Sequence, residues 1–133
     1  MARSPKPTDA ELAVLRVLWS QGASTVREVH DAIRRTKPIT YTSTLKTLQV
    51  MTEKGITARE DLRGQHVYRP VHAEKDTLRR LVTDLLDRAF GGSTSKLVIQ
   101  ALASRRATED ELQEIRRLLD ARQGRGRQGG GRG

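Results

Sequence analysis

Short hydroxyl side chains crowd the stretch from Thr40 to Gly55, TYTSTLKTLQVMTEKG, which holds five threonines, one serine and two lysines. Leu45, Leu48 and Met51 recur in it at helical spacing, so we predict a helix with one apolar and one polar face. Serine and threonine hydroxyls donate to or accept from base edges, and the threonine methyl can contact thymine. Such a face suits the major groove of DNA, with lysines at its edges contacting phosphates.

The candidate contact residues follow from a step of 100° per residue, with Leu45 at the centre of the buried face. The alternative is that these hydroxyls are merely solvated, or that those near the start of the helix only cap it. Lys46 and Lys54 are assigned to phosphates. The predicted DNA-contacting residues of this helix are Thr40, Thr42, Ser43, Lys46, Thr47, Val50 and Lys54.

The elements that must position this helix are predicted from capping boxes and turn residues. Thr8–Glu11 and Thr25–Glu28 each match the capping-box pattern and open a helix. After Gly55, two extended runs flank Asp61–Gln65, which predicts a β-hairpin. Three helices and a hairpin in about 65 residues are typical of a winged helix-turn-helix. The predicted wing contacts with the DNA backbone or minor groove are Arg63, His66 and Arg69.

The rear of the chain, from Glu74, returns to helical periodicity, with another capping box at Thr108–Glu111. Three helices in about 50 residues bury too little apolar surface to be stable alone. We therefore predict pairing with a second copy, the alternative being that these helices fold back onto the front domain. The predicted dimer interface comprises Leu78, Leu81, Val82, Leu85, Leu86, Phe90, Leu97, Val98, Leu102, Leu112, Ile115, Leu118 and Leu119.

The predicted fold class is mostly α with a small β-wing. An N-terminal winged helix-turn-helix domain at 8–72 precedes a three-helix dimerisation domain at 73–122. Residues 1–7 are predicted to be disordered, and so is an Arg/Gly tail at 123–133. The tail either adds non-specific affinity for nucleic acid or is only solvated.

The charge of the chain is concentrated at its front. The net charge is +9, with 12 Lys/Arg against 7 Asp/Glu in residues 1–72, 10 against 9 in 73–123, and three arginines beyond. This distribution favours a polyanion such as double-stranded DNA as the partner of the front half.

Several classes of function are disfavoured by what the sequence lacks. The absence of cysteine excludes disulfides, thiolate metal sites and a cysteine nucleophile, and with no membrane-length apolar run it predicts a cytoplasmic protein. A metal site from His66, His72 and Glu74 is the alternative to solvent-exposed histidines, and we predict no metal. No catalytic motif is present, so we predict no enzyme, no cofactor and no small-molecule substrate.

Four segments of the chain resemble the penicillinase-repressor family, also known as BlaI/MecI/CopY-type repressors. They are LAVLRVLW from Leu12, TVREVHDAI from Thr25, the stretch from Thr40 to Gly55, and GQHVYRPV from Gly64. The resemblance covers residues 8–121. It implies a homodimer that represses transcription from an inverted-repeat operator with TACA/TGTA half-sites.

The sequence departs from both induction mechanisms that the resemblance implies. An ungapped match places Gln100-Ala101 where the β-lactam branch has an Asn–Phe bond that is cleaved. The copper branch uses a Cys-x-Cys motif, and this chain has no cysteine. The inducer is therefore not predicted.

Two other functions compete with that of a dimeric repressor. A winged-helix domain can bind protein rather than DNA, although the cationic front half argues against it. A non-specific nucleic-acid-binding protein would use the basic patches and the tail, and it would show a steep salt dependence without sequence preference.

Overall fold

The structure is a computed structural model that describes residues 6–130, with side-chain surroundings described as far as Gly124. Six helices and one two-stranded antiparallel sheet follow in the order α1, α2, α3, β1, β2, α4, α5, α6. Their bounds are α1 Asp9–Gln21, α2 Val26–Arg34, α3 Tyr41–Glu53, β1 Thr57–Leu62, β2 Gln65–Pro70, α4 Glu74–Ala89, α5 Thr94–Ser104 and α6 Glu109–Gly130. The predicted architecture of helices with a small β-wing is confirmed.

The first three helices begin where the sequence predicts. The capping boxes of α1 and α2 are both formed, so the first-turn N–H groups have partners. Helix α3 has only its threonine cap, because the hydroxyl of Thr40 accepts from the backbone N–H of Ser43 at 3.1 Å. Short helices are marginal alone, so these three depend on a shared core for stability.

That core lies between α1, α2, α3 and the hairpin. Val14, Val29, Leu48 and Met51 are at most 1% exposed, and Trp19 packs against the cluster from its edge. Burying each of these aliphatic side chains contributes about 1.5–3 kcal/mol. The core therefore holds the three helices and the sheet in one arrangement.

The hairpin is longer and its turn is tighter than predicted. Leu62 pairs with Gln65, so the turn consists of Arg63 and Gly64 alone, with φ values of 52° and 80°. Two positive φ values define a type I′ turn, whose twist matches that of the flanking strands. A two-residue turn places Arg63 at the tip of the wing.

A third backbone segment joins the hairpin. Ser24, in the loop between α1 and α2, forms an antiparallel bridge with Tyr68 through hydrogen bonds of 2.8 and 3.0 Å. Pro70 lies at the end of β2, where its missing N–H interrupts no ladder, as predicted. The wing is therefore hydrogen-bonded to the loop that precedes α2.

The chain divides into two compact units, residues 1–85 and 86–133. The sequence places the boundary at 72/73, at the end of the hairpin, whereas the structure divides within α4. The difference has a local reason, because Thr77 on α4 is 7% exposed and Lys6 pairs with Asp84 at 2.6 Å. The first three turns of α4 therefore belong to the front unit.

Helix α6 extends into the predicted Arg/Gly tail. Its backbone is helical to Gly130, whereas the sequence predicts disorder from Gln123. No proline interrupts the segment, and a helix once nucleated propagates into arginine and glutamine even at a glycine cost of about 1 kcal/mol each. The remainder of the predicted tail, 131–133, lies outside the described residues, as do residues 1–5 of the predicted disordered N-terminus.

Candidate nucleic-acid interface

The buried face of α3 is rotated from its predicted position. Thr44, Leu48 and Met51 are fully buried, whereas Leu45, the predicted centre, is only partly buried. The rotation amounts to roughly 90° on a helical projection. Apolarity alone did not reveal it, because a threonine occupies a core position.

The burial of Thr44 is explained by its hydrogen bonds. Its hydroxyl donates to the carbonyl of Thr40 at 3.3 Å and lies 3.1 Å from Nδ1 of His30 on α2. With the hydroxyl proton given to Thr40, Nδ1 of His30 is the donor of the second bond. A buried hydroxyl with both partners is not penalised, so this bond links α2 to α3 inside the core.

The rotation changes which predicted residues are exposed. Thr40, Thr42, Ser43 and Lys46 are exposed on α3, as predicted. Thr47 and Val50 are only partly exposed, and the Thr47 hydroxyl already donates to the carbonyl of Ser43 at 3.0 Å. Its methyl group and its acceptor capacity remain for a ligand.

Lys54 is exposed, as predicted, but it already has a structural partner. Its Nζ donates to Oε2 of Glu11 at 2.8 Å, while Oε1 of Glu11 accepts from the backbone N–H of Thr8 at 2.9 Å. Glu11 is 3% exposed, so the pair joins the start of α1 to the end of α3. The carboxylate of Glu11 is therefore already bound to the lysine that the sequence assigned to a phosphate.

The environment of Glu11 favours its ionised form. Burial raises the pKa of this carboxyl, but hydrogen bonds from Lys54 and Thr8 and the charge of Lys54 outweigh it. The pKa therefore lies below the ordinary value of 4.5. A buried carboxylate with two donors, one of them a cation, stays charged at neutral pH.

The N-terminus of α3 borders a shallow cationic hollow. Arg27 stacks on the ring of Tyr41, with its guanidinium carbon 4.9 Å from the ring centroid, and His30 meets the same ring edge-on at 5.6 Å. Arg34 and Ser43 complete the exposed rim. Two arginines and a helix N-terminus attract a phosphate group.

The three predicted wing residues differ in whether a carboxylate already binds them. His66 is hydrogen-bonded to Asp61, and Arg69 donates to Glu60 at 2.5 Å. Among the described residues Arg63 makes no ion pair, and it lies at the turn. Of the three predicted wing residues, Arg63 is the one whose charge is not offset by a neighbouring carboxylate.

Two exposed residues that the sequence analysis missed lie beside the predicted face. Gln49 on α3 and Arg59 on β1 line one hollow with Tyr68. The amide of a glutamine can bond N6 and N7 of adenine, and an arginine can bond a guanine or a phosphate. Centring the helical projection on Leu48 would have placed Gln49 on the open side.

The rear helices carry the second predicted surface. None of the 13 predicted interface residues is buried, and Val82, Leu85 and Val98 are 42–48% exposed. Ile99 on α5, which the sequence analysis omitted, is 61% exposed. Helices α4 and α5 thus each leave apolar side chains in contact with water, and exposed apolar patches are typical of interaction sites.

Within residues 6–130, no group of three or more histidine or acidic side chains could hold a metal ion. None of the described helices is long and apolar enough to span a membrane.

The fold and the cationic, hydroxyl-rich helix beside a hairpin define the class of winged helix-turn-helix DNA-binding proteins. The chain belongs to the penicillinase repressor family, whose model matches residues 7–121. Members of this family are transcriptional repressors.

Named relatives cover most of the chain. The transcriptional regulator BlaI of Mycobacterium tuberculosis is 29% identical over 120 residues, which are 90% of this chain and 86% of that protein. The penicillinase repressor of Bacillus licheniformis is 26% identical over 129 residues, or 94% of this chain and 98% of its own.

Solved structures agree with the fold. The solution structure of monomeric Bacillus licheniformis BlaI in complex with the blaP half-operator superposes with a TM-score of 0.51 at 26% identity. It covers 57% of this chain and 93% of the other. A MarR family protein from Bacillus stearothermophilus has a TM-score of 0.50 at 16% identity and covers 91% and 76%.

Proposed function

We propose that this protein is a sequence-specific transcriptional repressor that binds an inverted-repeat DNA operator as a homodimer. The observation that carries the proposal is the open, cationic face of α3, where Thr42, Ser43 and Lys46 are exposed beside Arg27 and Arg34. The complex of a relative with a half-operator supports DNA as the ligand.

The division of labour on this face follows from side-chain chemistry. Thr42, Ser43 and Gln49 carry hydroxyl or amide groups and are proposed to read base edges in the major groove. Lys46, Arg27 and Arg34 are proposed to neutralise phosphates and fix the register of the helix. Arg63 at the tip of the wing is proposed to contact the backbone or the adjacent minor groove.

A dimer reads more base pairs than one front unit can. One recognition helix reads only a few base pairs, whereas two related by a two-fold axis read a palindrome with half-sites about one helical turn or its multiples apart. The exposed leucines and valines of α4 and α5 supply the surface for pairing. The TACA/TGTA half-sites that the family resemblance implies are part of this proposal.

The test is selection of random duplex DNA on the purified protein, followed by sequencing and by mass measurement of the complex. A palindromic motif bound by two protomers, with at least about 10³-fold preference over random DNA, is the expected result. Binding without a motif and with a steep salt slope would instead indicate a non-specific binder. No binding at moderate salt would indicate that α3 contacts protein.

A further inference from the structure

One face of helix α6 has a glutamate at one end, an arginine at the other and two apolar residues between them. Glu111, Ile115, Leu118 and Arg122 are spaced by four, three and four residues, which is the a/d spacing of a coiled coil. On a helical projection they share one face about 60° wide. We call this face the α6 seam.

No seam residue is buried in the monomer. Leu118 is 61% exposed, Ile115 is half-buried, and both charged ends of the seam are exposed. Among the described residues neither Glu111 nor Arg122 makes an ion pair. The charges that lie off the seam behave differently, because Arg117 pairs with Glu114 at 2.5 Å and Arg116 lies 3.9 Å from Glu109.

We propose that the α6 seam packs antiparallel against the α6 seam of a second copy of this chain, with Glu111 of each copy paired to Arg122 of the other. This inference rests on the proposed homodimer and specifies one of its contacts and their direction. The midpoint of the seam lies between Ile115 and Leu118, so a two-fold axis there places Ile115 of one copy opposite Leu118 of the other.

Charge selects the direction of packing. In an antiparallel pair Glu111 and Arg122 are equally far from the axis, about 8 Å along the helix, so opposite charges meet at both ends. A parallel pair would place glutamate against glutamate and arginine against arginine. Residues 116–122 contain three arginines, Arg116, Arg117 and Arg122, and a single acidic residue, Asp120. Asp120 lies away from the seam on the projection.

Glu11, near the front of the chain, is a capping glutamate that also binds a cation from another helix. Oε1 of Glu11 accepts from the N–H of Thr8, and Oε2 accepts from Lys54 of another helix at 2.8 Å. Oε1 of Glu111 likewise accepts from the N–H of Thr108, at 2.9 Å. Its second oxygen is the one that Arg122 of the second copy would occupy.

Charge reversal tests the seam. The dissociation constant of the dimer is measured by sedimentation equilibrium for Glu111→Arg, for Arg122→Glu and for the double variant. Each single variant places like charges opposite each other, so we expect about tenfold weaker association. The double variant restores opposite charges across the axis, so we expect its association to return to that of the wild type.

Matched controls carry the same charge changes away from the seam. Asp110→Arg and Arg117→Glu alter neighbouring positions of α6 outside the seam, and we expect little effect on the dissociation constant. Thr108→Ala removes the cap that Glu111→Arg also weakens but keeps the carboxylate. Weakening by Thr108→Ala equal to that of Glu111→Arg would overturn the ion pair.

The outcomes distinguish a failure of the proposed seam from a failure of the proposed homodimer. A wild-type protein that is monomeric at micromolar concentration would overturn the proposed homodimer. A wild-type dimer that both single reversals leave intact would overturn the seam alone. Equal weakening in the singles and in the double variant would overturn the pairing of Glu111 with Arg122.

Discussion

At the scale of single residues, the environment of Glu11 contributes to how the stability of the protein depends on pH. Its folded pKa lies below 4.5, so its ionised form stabilises the fold above that pH. As the pH falls through the folded pKa the carboxylate gains a proton, and this contribution is lost. This direction is expected for a buried acid that accepts from two donors, one of which is a cation.

Glu11→Gln isolates this contribution, because glutamine also serves in a capping box. At pH 7 we expect the wild type to be more stable than the variant. The difference should shrink as the pH drops from about 5 towards 3, since protonation removes the charge from the wild type too. Urea unfolding at several pH values measures it.

Glu28→Gln is the matched control, because Glu28 forms the same box on an exposed surface. Its stability difference is measured at the same pH values as a reference for the loss of the box itself. A Glu11→Gln difference that stayed constant from pH 7 to pH 3 would contradict the role of the carboxylate charge.

The proposed function implies that base reading and phosphate binding are separable on α3. Gln49→Ala should cost about 1–3 kcal/mol on the selected operator and little on random DNA, because a glutamine amide discriminates bases. Lys46→Ala should weaken both by a similar factor and lower the salt slope by about 1. Fluorescence titration at several salt concentrations measures both.

Arg79→Ala provides the control for charge, since Arg79 is an exposed cation on α4. It should change neither affinity by more than a small factor. Equal losses on operator and random DNA from Gln49→Ala would mean that Gln49 does not read a base.

At the scale of elements, the wing exposes a cation at a backbone position that arginine rarely occupies. Arg63 has a φ of 52°, and left-handed backbone costs a residue with a Cβ roughly 1–2 kcal/mol. Asparagine and glycine are the residues that type I′ turns favour. The arginine is thus poorly suited to the turn but well suited to DNA.

Arg63→Asn should therefore separate stability from binding. We expect the free energy of unfolding to stay equal or to rise by up to about 1 kcal/mol, while affinity for DNA falls. Thermal unfolding and DNA titration of the same preparation test it. Gly64→Ala, at φ 80°, should instead lower stability, and a fall in both quantities for Arg63→Asn would mean that Arg63 has a structural role.

The elements show how far the sequence could be interpreted. Capping boxes and turn glycines predicted the helix starts and the hairpin, because these signals act within a few residues. The rotation of α3 was missed because Thr44 is buried by a hydrogen bond to His30, fourteen residues away. The pairing of Lys54 with Glu11 was missed for the same reason, since it joins positions 43 residues apart.

At the scale of the whole molecule, the proposed dimer would bury apolar side chains that the rear helices leave exposed. Leu78, Val82 and Leu85 on α4 are 42–48% exposed. Burying such side chains in a dimer contributes roughly 25 cal/mol per Å² before the costs of association.

The double variant Val82→Asp, Leu85→Asp should be monomeric, because two charges cannot be buried unpaired at an apolar interface. Its front unit should remain folded, and its affinity for a full palindrome should fall to that for a half-site. Light scattering and DNA titration measure the two effects. Thr83→Asp, on the same helix but exposed outside the leucine stripe, should remain dimeric, and a dimeric double variant would contradict the interface.

The position of Trp19 at the edge of the front core has a spectroscopic consequence. Trp19, Tyr41 and Tyr68 are the only tryptophan and tyrosines of the chain, and all precede the rear helices. Intrinsic fluorescence therefore reports on the front unit alone, whereas far-ultraviolet circular dichroism records every helix. A denaturation curve followed by both signals would show directly whether dissociation and rear melting precede the loss of the winged domain.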